Sequence, residues 1–185
     1  MTTSPTPTST STPTTPIGAT ELATATIDTP IGPLTLVASD AGLRAVLWPR
    51  DDDDGRVRVG ATRADPQHRV IAAAADQLEE YFDGRRREFD VPLDPVGTEF
   101  QHAAWRALRT IPYGETISYG AQAARMGDRR KARAVGAANG RNPISIIVPC
   151  HRVVGADGSL TGFAAGVDTK AWLLDHERRV LHAVA

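Results

Sequence analysis

The only cysteine of the chain, Cys150, closes the apolar run Ile144-Ser145-Ile146-Ile147-Val148-Pro149 and is followed at once by His151, Arg152 and Val153. A thiol attacks as the thiolate, and an imidazole or guanidinium beside it favours that form or takes its proton. A lone cysteine at the end of an apolar run is more often an inert buried thiol, so the neighbours decide between the two readings. Adjacency in sequence does not settle it, because successive residues of an extended strand point to opposite faces.

A second chemical group lies in the last helix. Asp168 can cap a helix over residues 169–181 whose inward stripe is Leu173, Leu174, Val180 and Leu181, and Glu177 falls three or four residues from each of them. A carboxylate on an apolar face is either neutral or charged and paired. A histidine in need of an orienting acid would account for it, giving Cys150, His151 and Glu177 the order of a nucleophilic hydrolase. Snorkelling to solvent or a bond to a nearby arginine accounts for it equally well. Asn142, before Pro143, can pin the turn that leads into the run before Cys150, which reads as an apolar strand. Tyr119 is either half-buried core or, if it faces a ligand, a useful phenol.

The elements that must position these groups can be read along the chain. Residues 1–20 are Thr, Ser and Pro with almost nothing apolar, the composition of a disordered tail. Residues 23–28 and 34–38 read as a hairpin around Thr29-Pro30-Ile31-Gly32-Pro33, and 42–48 as a third strand ending at Pro49. Asp51 to Asp54 read as a solvated acidic loop; the residues at the first and twelfth positions of a calcium loop would be Arg50 and Ala61, which do not fit. Ile71, Ala75, Leu78 and Phe82, with Tyr81 alongside, recur at helical spacing before Gly84. Residues 88–93 alternate like a short edge strand, and 94–97 read as a domain boundary, separating an N-terminal α/β domain at 21–97 from a mostly α domain at 98–185.

Thr98 and Gln101 have capping-box spacing and open a helix with Phe100, Ala104, Leu108 and Ile111 on one face; Pro112-Tyr113-Gly114 stops it. Ser118 can cap a short helix over 119–126, and Asp128 a further helix that ends at Gly140. Two short helices about a glycine turn suggest a helix-turn-helix.

Charge is segregated between the halves. Residues 1–98 carry 9 Arg/Lys against 15 Asp/Glu, a net of −6, while residues 99–185 carry 12 against 7, a net of +5. Arg125, Arg129, Arg130, Lys131, Arg133 and Arg141 flank the small residues of the second short helix, with Asp128 as the sole acid there. A basic rim on a helix of Ala and Gly is compatible with a nucleic-acid backbone, although clustering of solvated charges is the bland alternative. One cysteine excludes an internal disulfide and the paired-cysteine zinc motifs, and points to a reducing compartment. No apolar stretch is long enough for a membrane span and the first residues lack a signal-peptide pattern, so a cytoplasmic protein is expected.

Taken together, Pro149-Cys150-His151-Arg152-Val153, Asn142-Pro143 and Arg133-Ala134-Val135-Gly136 resemble the signature of the O6-alkylguanine-DNA alkyltransferases. Phe100-Gln101 with Trp105, Ile111-Pro112-Tyr113-Gly114, Ser118-Tyr119, Leu160-Thr161-Gly162-Phe163 and the segment from Lys170 to Glu177 extend the likeness over essentially all of residues 98–180. Ile31-Gly32-Pro33-Leu34 and the helix ending at Tyr81-Phe82 fit the less distinctive N-terminal domain of that family, which has a ribonuclease-H-like fold.

The resemblance implies direct-reversal repair: irreversible, single-turnover transfer of an alkyl group from O6 of guanine in double-stranded DNA, with O4 of thymine as a second candidate, to Cys150. His151 would deprotonate Cys150 through a water, Glu177 would orient His151, Asn142 would hold the two halves of the site together, and Tyr119 would help the guanine leave. A winged-helix-like helix-turn-helix would enter the minor groove with Ala132, Ala134, Gly136, Arg130, Lys131 and Arg141, while Arg133 fills the stack vacated by the flipped base. The backbone of Cys150 and Val153 would meet the exocyclic amine, and Val153, Phe163, Ala164 and Ala165 would form the pocket. No cofactor or metal and no obligate protein partner is implied.

Phe163 stands where relatives usually carry tyrosine, and Ala165 where glycine is common, so a narrowed pocket should favour methyl over benzyl adducts. The rival readings are a binding-only damage sensor, against which the acceptor Cys150 argues, a helix-turn-helix regulator with a structural thiol, and a cysteine hydrolase.

Overall fold

The computed structural model describes residues 21–49, 51 and 57–183; the Thr/Pro-rich tail and Asp52 to Asp54 lie outside them. Strands β1 (Leu22–Ile27), β2 (Leu34–Ser39) and β3 (Gly42–Leu47) form an antiparallel meander, and β4 (Thr62–Ala64) runs parallel to β1, giving the order β3-β2-β1-β4. The turn from β1 to β2 closes with Gly32 at φ 103°, where a side chain would be strained. Both faces of β2 are covered, which explains the consecutive apolar residues Leu36, Val37 and Ala38. Leu34, Leu36 and Ala38 join the main core, while Val37 joins Leu22, Ala45 and Leu47 on the other side, packed by Val57 and Val59.

Helix α1 (Arg69–Phe82) lies on the main-core face and buries Val70, Ile71, Ala74, Leu78 and Tyr81, so Ala75 and Phe82 sit at the edge of the expected stripe. Residues 88–93 do not form the expected edge strand. Only Leu43 and Leu93 bridge, through Leu43 N–H to Pro92 O at 2.8 Å and Asp94 N–H to Leu43 O at 2.8 Å, and Pro92 has no N–H with which to extend a ladder. Asp51 also departs from the solvated loop: it is 2% exposed, and its carboxylate accepts the Trp48 N–H at 2.8 Å.

The second half is largely helical. Helix α2 (Glu99–Leu108) opens on the complete Thr98/Gln101 capping box and buries Ala104, Trp105 and Leu108. A two-residue strand β5 (Ile117–Ser118) pairs in parallel with β6 (Val153–Val154). Helix α3 (Tyr119–Arg125) is capped by Ser118, whose hydroxyl accepts the Ala121 N–H at 3.1 Å. Asp128 caps a separate 3-10 turn (Arg129–Lys131) and not the following helix α4 (Ala132–Gly140), which begins without a side-chain cap.

The last helix, α5 (Val167–His182), starts earlier than expected: Gly166 at φ 90° is its N-cap, and Asp168 sits within its first turn. One apolar cluster runs from Leu34 and Leu78 through Trp105 and Leu108 to Ile144 and Leu173, so the two halves share a core. A backbone bond from Val46 N–H to Pro143 O at 2.8 Å ties β3 to the segment that leads to Cys150.

Candidate active site

The run before Cys150 is not a strand. Asn142 pins it at both ends, its Oδ1 accepting the Ile144 N–H at 3.0 Å and its Nδ2 donating to Val148 O at 2.8 Å. Ser145 and Val148 bridge across a tight bend, and Ile146 holds φ 75°, a left-handed conformation that a β-branched residue rarely adopts. Cys150–Arg152 then form a 3-10 turn. At about three residues per turn, successive side chains diverge by roughly 120°, so the opposite-face objection from strand geometry does not apply. Cys150 is 8% exposed, and His151 is fully buried.

Glu177 is the hub behind this turn. Its Oε1 accepts from His151 Nε2 at 2.8 Å, from the Tyr81 hydroxyl at 2.9 Å and from Arg152 Nη2 at 2.9 Å. Its Oε2 accepts from the Gly114 N–H at 2.8 Å and from Arg152 Nε at 3.0 Å. Arg152 also donates to Ile111 O at 2.7 Å. The histidine and arginine explanations of an inward Glu177 are therefore both realised at once, and the snorkelling one is not. Burial pushes the Glu177 pKa up, but the bonds and charges of His151 and Arg152 outweigh it and hold the group at about 2. Burial holds His151 below its ordinary value despite the pull of Glu177.

An ionised carboxylate only accepts, so Nε2 carries the hydrogen and Nδ1 is left as a lone pair. That Nδ1 is buried and has no hydrogen-bond partner among the described residues.

Helix α5 brings a second ionisable group to the site. Lys170, seven residues and two turns before Glu177, shares its face and is fully buried. Its Nζ donates to Val153 O at 2.6 Å and Thr161 O at 2.7 Å and lies 5.8 Å from the centre of the Tyr119 ring. The Tyr119 hydroxyl donates to the same Thr161 carbonyl at 3.2 Å. Burial lowers the Lys170 pKa, and the negative charge available at Cys150 partly restores it. Tyr119 is raised, by burial first.

Of the expected pocket residues, Val153 is buried, Phe163 and Ala165 pack against the common core, and Ala164 is exposed. The Val153 carbonyl, expected to be open to a base amine, already accepts from Lys170. A surface cavity of about 480 Å³ is bounded by Tyr113, Pro149, Arg152 and Leu181 and does not include Cys150 in its walls.

Sequence reasoning missed Tyr81, Gly114 and Lys170 and gave Arg152 no structural part. The buried-charge test that singled out Glu177 would also have found Lys170, had it been carried two turns back.

Helix α4 is held from behind. Trp105 Nε1 donates to Ala138 O at 2.9 Å, and the buried amides of Gln122 and Asn139 pair reciprocally at 3.2 and 2.7 Å. This leaves Arg133, Ala134, Lys131 and Arg141 exposed and Ala132 half-buried. Gly136 faces the Tyr119 ring, where an added Cβ would stand 3.6 Å away. Arg130 is exposed, but its guanidinium meets Asp128 at 3.0 and 3.2 Å, so part of its charge is already matched.

Residues 99–179 match the model of the 6-O-methylguanine DNA methyltransferase DNA-binding domain, and residues 22–95 match that of the ribonuclease-like domain of the same proteins. A methylated-DNA–protein-cysteine methyltransferase of Mycolicibacterium paratuberculosis is 52% identical over 157 residues, 83% of this chain and 91% of the relative. One from Methanosarcina acetivorans is 46% identical over 153 residues, 83% of this chain and 96% of the relative. The crystal structure of Mycobacterium tuberculosis OGT in complex with DNA superposes with a TM-score of 0.77 at 49% identity, over 85% of this chain and 94% of that one.

Proposed function

The chain belongs to the methylated-DNA–protein-cysteine methyltransferases, the transferases of direct-reversal DNA repair, and on that footing we propose that Cys150 is its alkyl acceptor, with O6-alkylguanine in duplex DNA as donor. The observation that carries this reading is the 3-10 turn that buries His151 against Glu177 at 2.8 Å while its Nδ1 stays open as a proton acceptor beside the only thiol.

In the proposed sequence, the Cys150 proton passes through a water to His151 Nδ1, and Glu177 stabilises the imidazolium that forms. The thiolate attacks the alkyl carbon, the bond from that carbon to O6 breaks, and the guanine takes a proton from the Tyr119 phenol; the imidazolium then restores the balance. Lys170 favours the negative sulfur before attack and holds Thr161 and Val153 in place. The product is a thioether that water does not cleave, so each molecule acts once and needs no cofactor for the transfer. O4 of thymine fits the same chemistry.

We place the exposed face of α4, with Lys131, Arg133, Ala134 and Arg141, in the minor groove, and assign Arg133 to the stack left by the flipped base. The exposure of these residues and the rigid backing from Trp105, Gln122 and Asn139 support that placement. The ribonuclease-H-like and winged-helix-like descriptions of the two halves, a boundary at 94–97 and a cytoplasmic location belong to the same reading. No helix among the described residues is long and apolar enough to cross a membrane.

The deciding experiment mixes the protein with a duplex oligonucleotide carrying O6-methylguanine and reads intact mass. One added methylene on Cys150, absent in Cys150→Ala, is expected. An unchanged mass for the wild-type protein would overturn the reading. A helix-turn-helix regulator or a hydrolase would give that unchanged mass, and neither explains the Lys170 contacts behind the loop at 161–163.

A further inference from the structure

Trp48 links the N-terminal sheet to the site. Strand β3 is fixed beside the acceptor segment by the Val46 bond to Pro143, and the residue after its end, Trp48, is pinned by Asp51, whose Oδ2 accepts the Trp48 N–H at 2.8 Å and whose own N–H donates to Trp48 O at 2.9 Å. The indole is thereby held 5% exposed, edge-on to Phe163 with ring centres 5.8 Å apart at 70°. Phe163 in turn stands edge-on to the His151 imidazole at 6.4 Å and 83°. Trp48 and Cys150 belong to one apolar cluster, against which Phe163 and Ala165 pack.

Phe163 is otherwise loosely founded. It lies in the loop between β6 and α5, next to Gly162 at φ 59°, and its backbone is tied by Gly166 N–H to Phe163 O at 3.0 Å and by the Lys170 bond to Thr161 O. These bonds fix the chain, not the ring. The ring is positioned by Trp48 on one side and His151 on the other.

The indole N–H of Trp48 is buried with no acceptor among the described residues. An unpaired interior donor is a cost that phenylalanine would avoid. Filling the core therefore does not explain the indole by itself, and its bulk against Phe163 does.

We propose that Trp48 is a specificity-determining positioning residue: by holding Phe163 against His151 it limits the volume open to the alkyl group beside Cys150. This rests on the transfer reading above. It assigns the limit on adduct size to the N-terminal sheet as well as to the loop.

The test measures rates of Cys150 alkylation, by intact mass, with an O6-methylguanine duplex and with free O6-benzylguanine. A packing difference worth one or a few carbon atoms changes discrimination by about tenfold or more, so Trp48→Ala should raise the benzyl-to-methyl rate ratio by about that factor. Trp48→Leu should raise it less, and Trp48→Phe, which gives up only the second ring of the indole, least of the three while staying above the wild-type ratio. Because Trp48 acts through Phe163, the double variant Trp48→Ala/Phe163→Ala should gain little over Phe163→Ala alone. Equal losses in both rates with the ratio unchanged, or full additivity in the double variant, would overturn the proposal while leaving the transfer intact. A wild-type protein alkylated by neither donor would overturn both. Should Trp48→Ala not fold, the leucine and phenylalanine variants carry the same comparison.

Discussion

His151 Nε2 stands 2.8 Å from Glu177 Oε1, and neither side chain reaches solvent. The carboxylate thereby sets the tautomer of the imidazole, and in the proposed transfer it would supply the counter-charge once the thiol proton has moved. Glu177→Gln keeps the shape but removes the charge and presents a donor as well as an acceptor. Alkylation of Cys150 should slow by about 10²-fold or more. Stability should fall by about 3–5 kcal/mol, because Arg152 is left buried without its partner. Time-resolved intact mass and urea unfolding measure the two effects separately. A rate within twofold of wild type would remove the relay from the reaction.

Acid should destabilise the protein in two stages. Burial foremost holds His151 below 6.5 in the fold, and the His151 and Arg152 partners hold Glu177 at about 2 against an ordinary 4.5. Each group binds protons more readily in the unfolded chain, so stability is full above the unfolded value and is lost as pH falls. The melting temperature should be level above about pH 6.5 and decline below it, with a further decline beginning near 4.5. In Glu177→Gln the second decline should shrink. A melting temperature that rises on acidification would contradict the charge states assigned here.

Lys170→Met retains the bulk of the stem and removes the cation that bonds Val153 and Thr161. Two carbonyls then lose a donor, at about 1–3 kcal/mol each where no water replaces it. Reaction of Cys150 with iodoacetamide at neutral pH should slow, since the attraction between Lys170 and a negative sulfur is gone. Lys170→Arg should recover the reaction in part. Unchanged thiol reactivity in Lys170→Met would confine Lys170 to a structural part.

Arg133 is exposed on α4, so its replacement leaves the interior untouched. Arg133→Ala should slow repair of an O6-methylguanine duplex by about 10-fold or more, a few kcal/mol being the usual cost of taking a base out of the stack. Reaction with the free alkylated base should change little. Equal losses with both donors would end the stacking role.

The sequence exposes groups whose local pattern is out of place and hides those whose partners come from far along the chain. Glu177 is legible because a carboxylate on an apolar helical face breaks a periodic rule, and the caps at Thr98 and Ser118 are legible because they act within three residues. Tyr81 is hidden: it fits its helix as an ordinary apolar position, and its partner lies 96 residues away. The strand expected before Cys150 is misread for a related reason. Its apolar residues are buried by tertiary packing, while Asn142 and the left-handed Ile146 fold the run into a bend that no alternation reports. Asp51 defeats charge reasoning because its carboxylate turns inward to accept a backbone N–H, that of Trp48, which no charge pattern reports. The change from a sheet-containing half to a helical half is legible, since composition and charge change along the chain where the sheet gives way to helices.

The single carboxylate of Glu177 gathers donors from helix α1, the turn at Gly114 and the Cys150 turn. None of these segments neighbours another in sequence, so the full set of bonds exists only where all of them have been brought to Glu177. Readiness for chemistry is thus conditional on completeness. A half-folded chain carries the thiol without the imidazole, carboxylate and lysine that surround it in the complete fold.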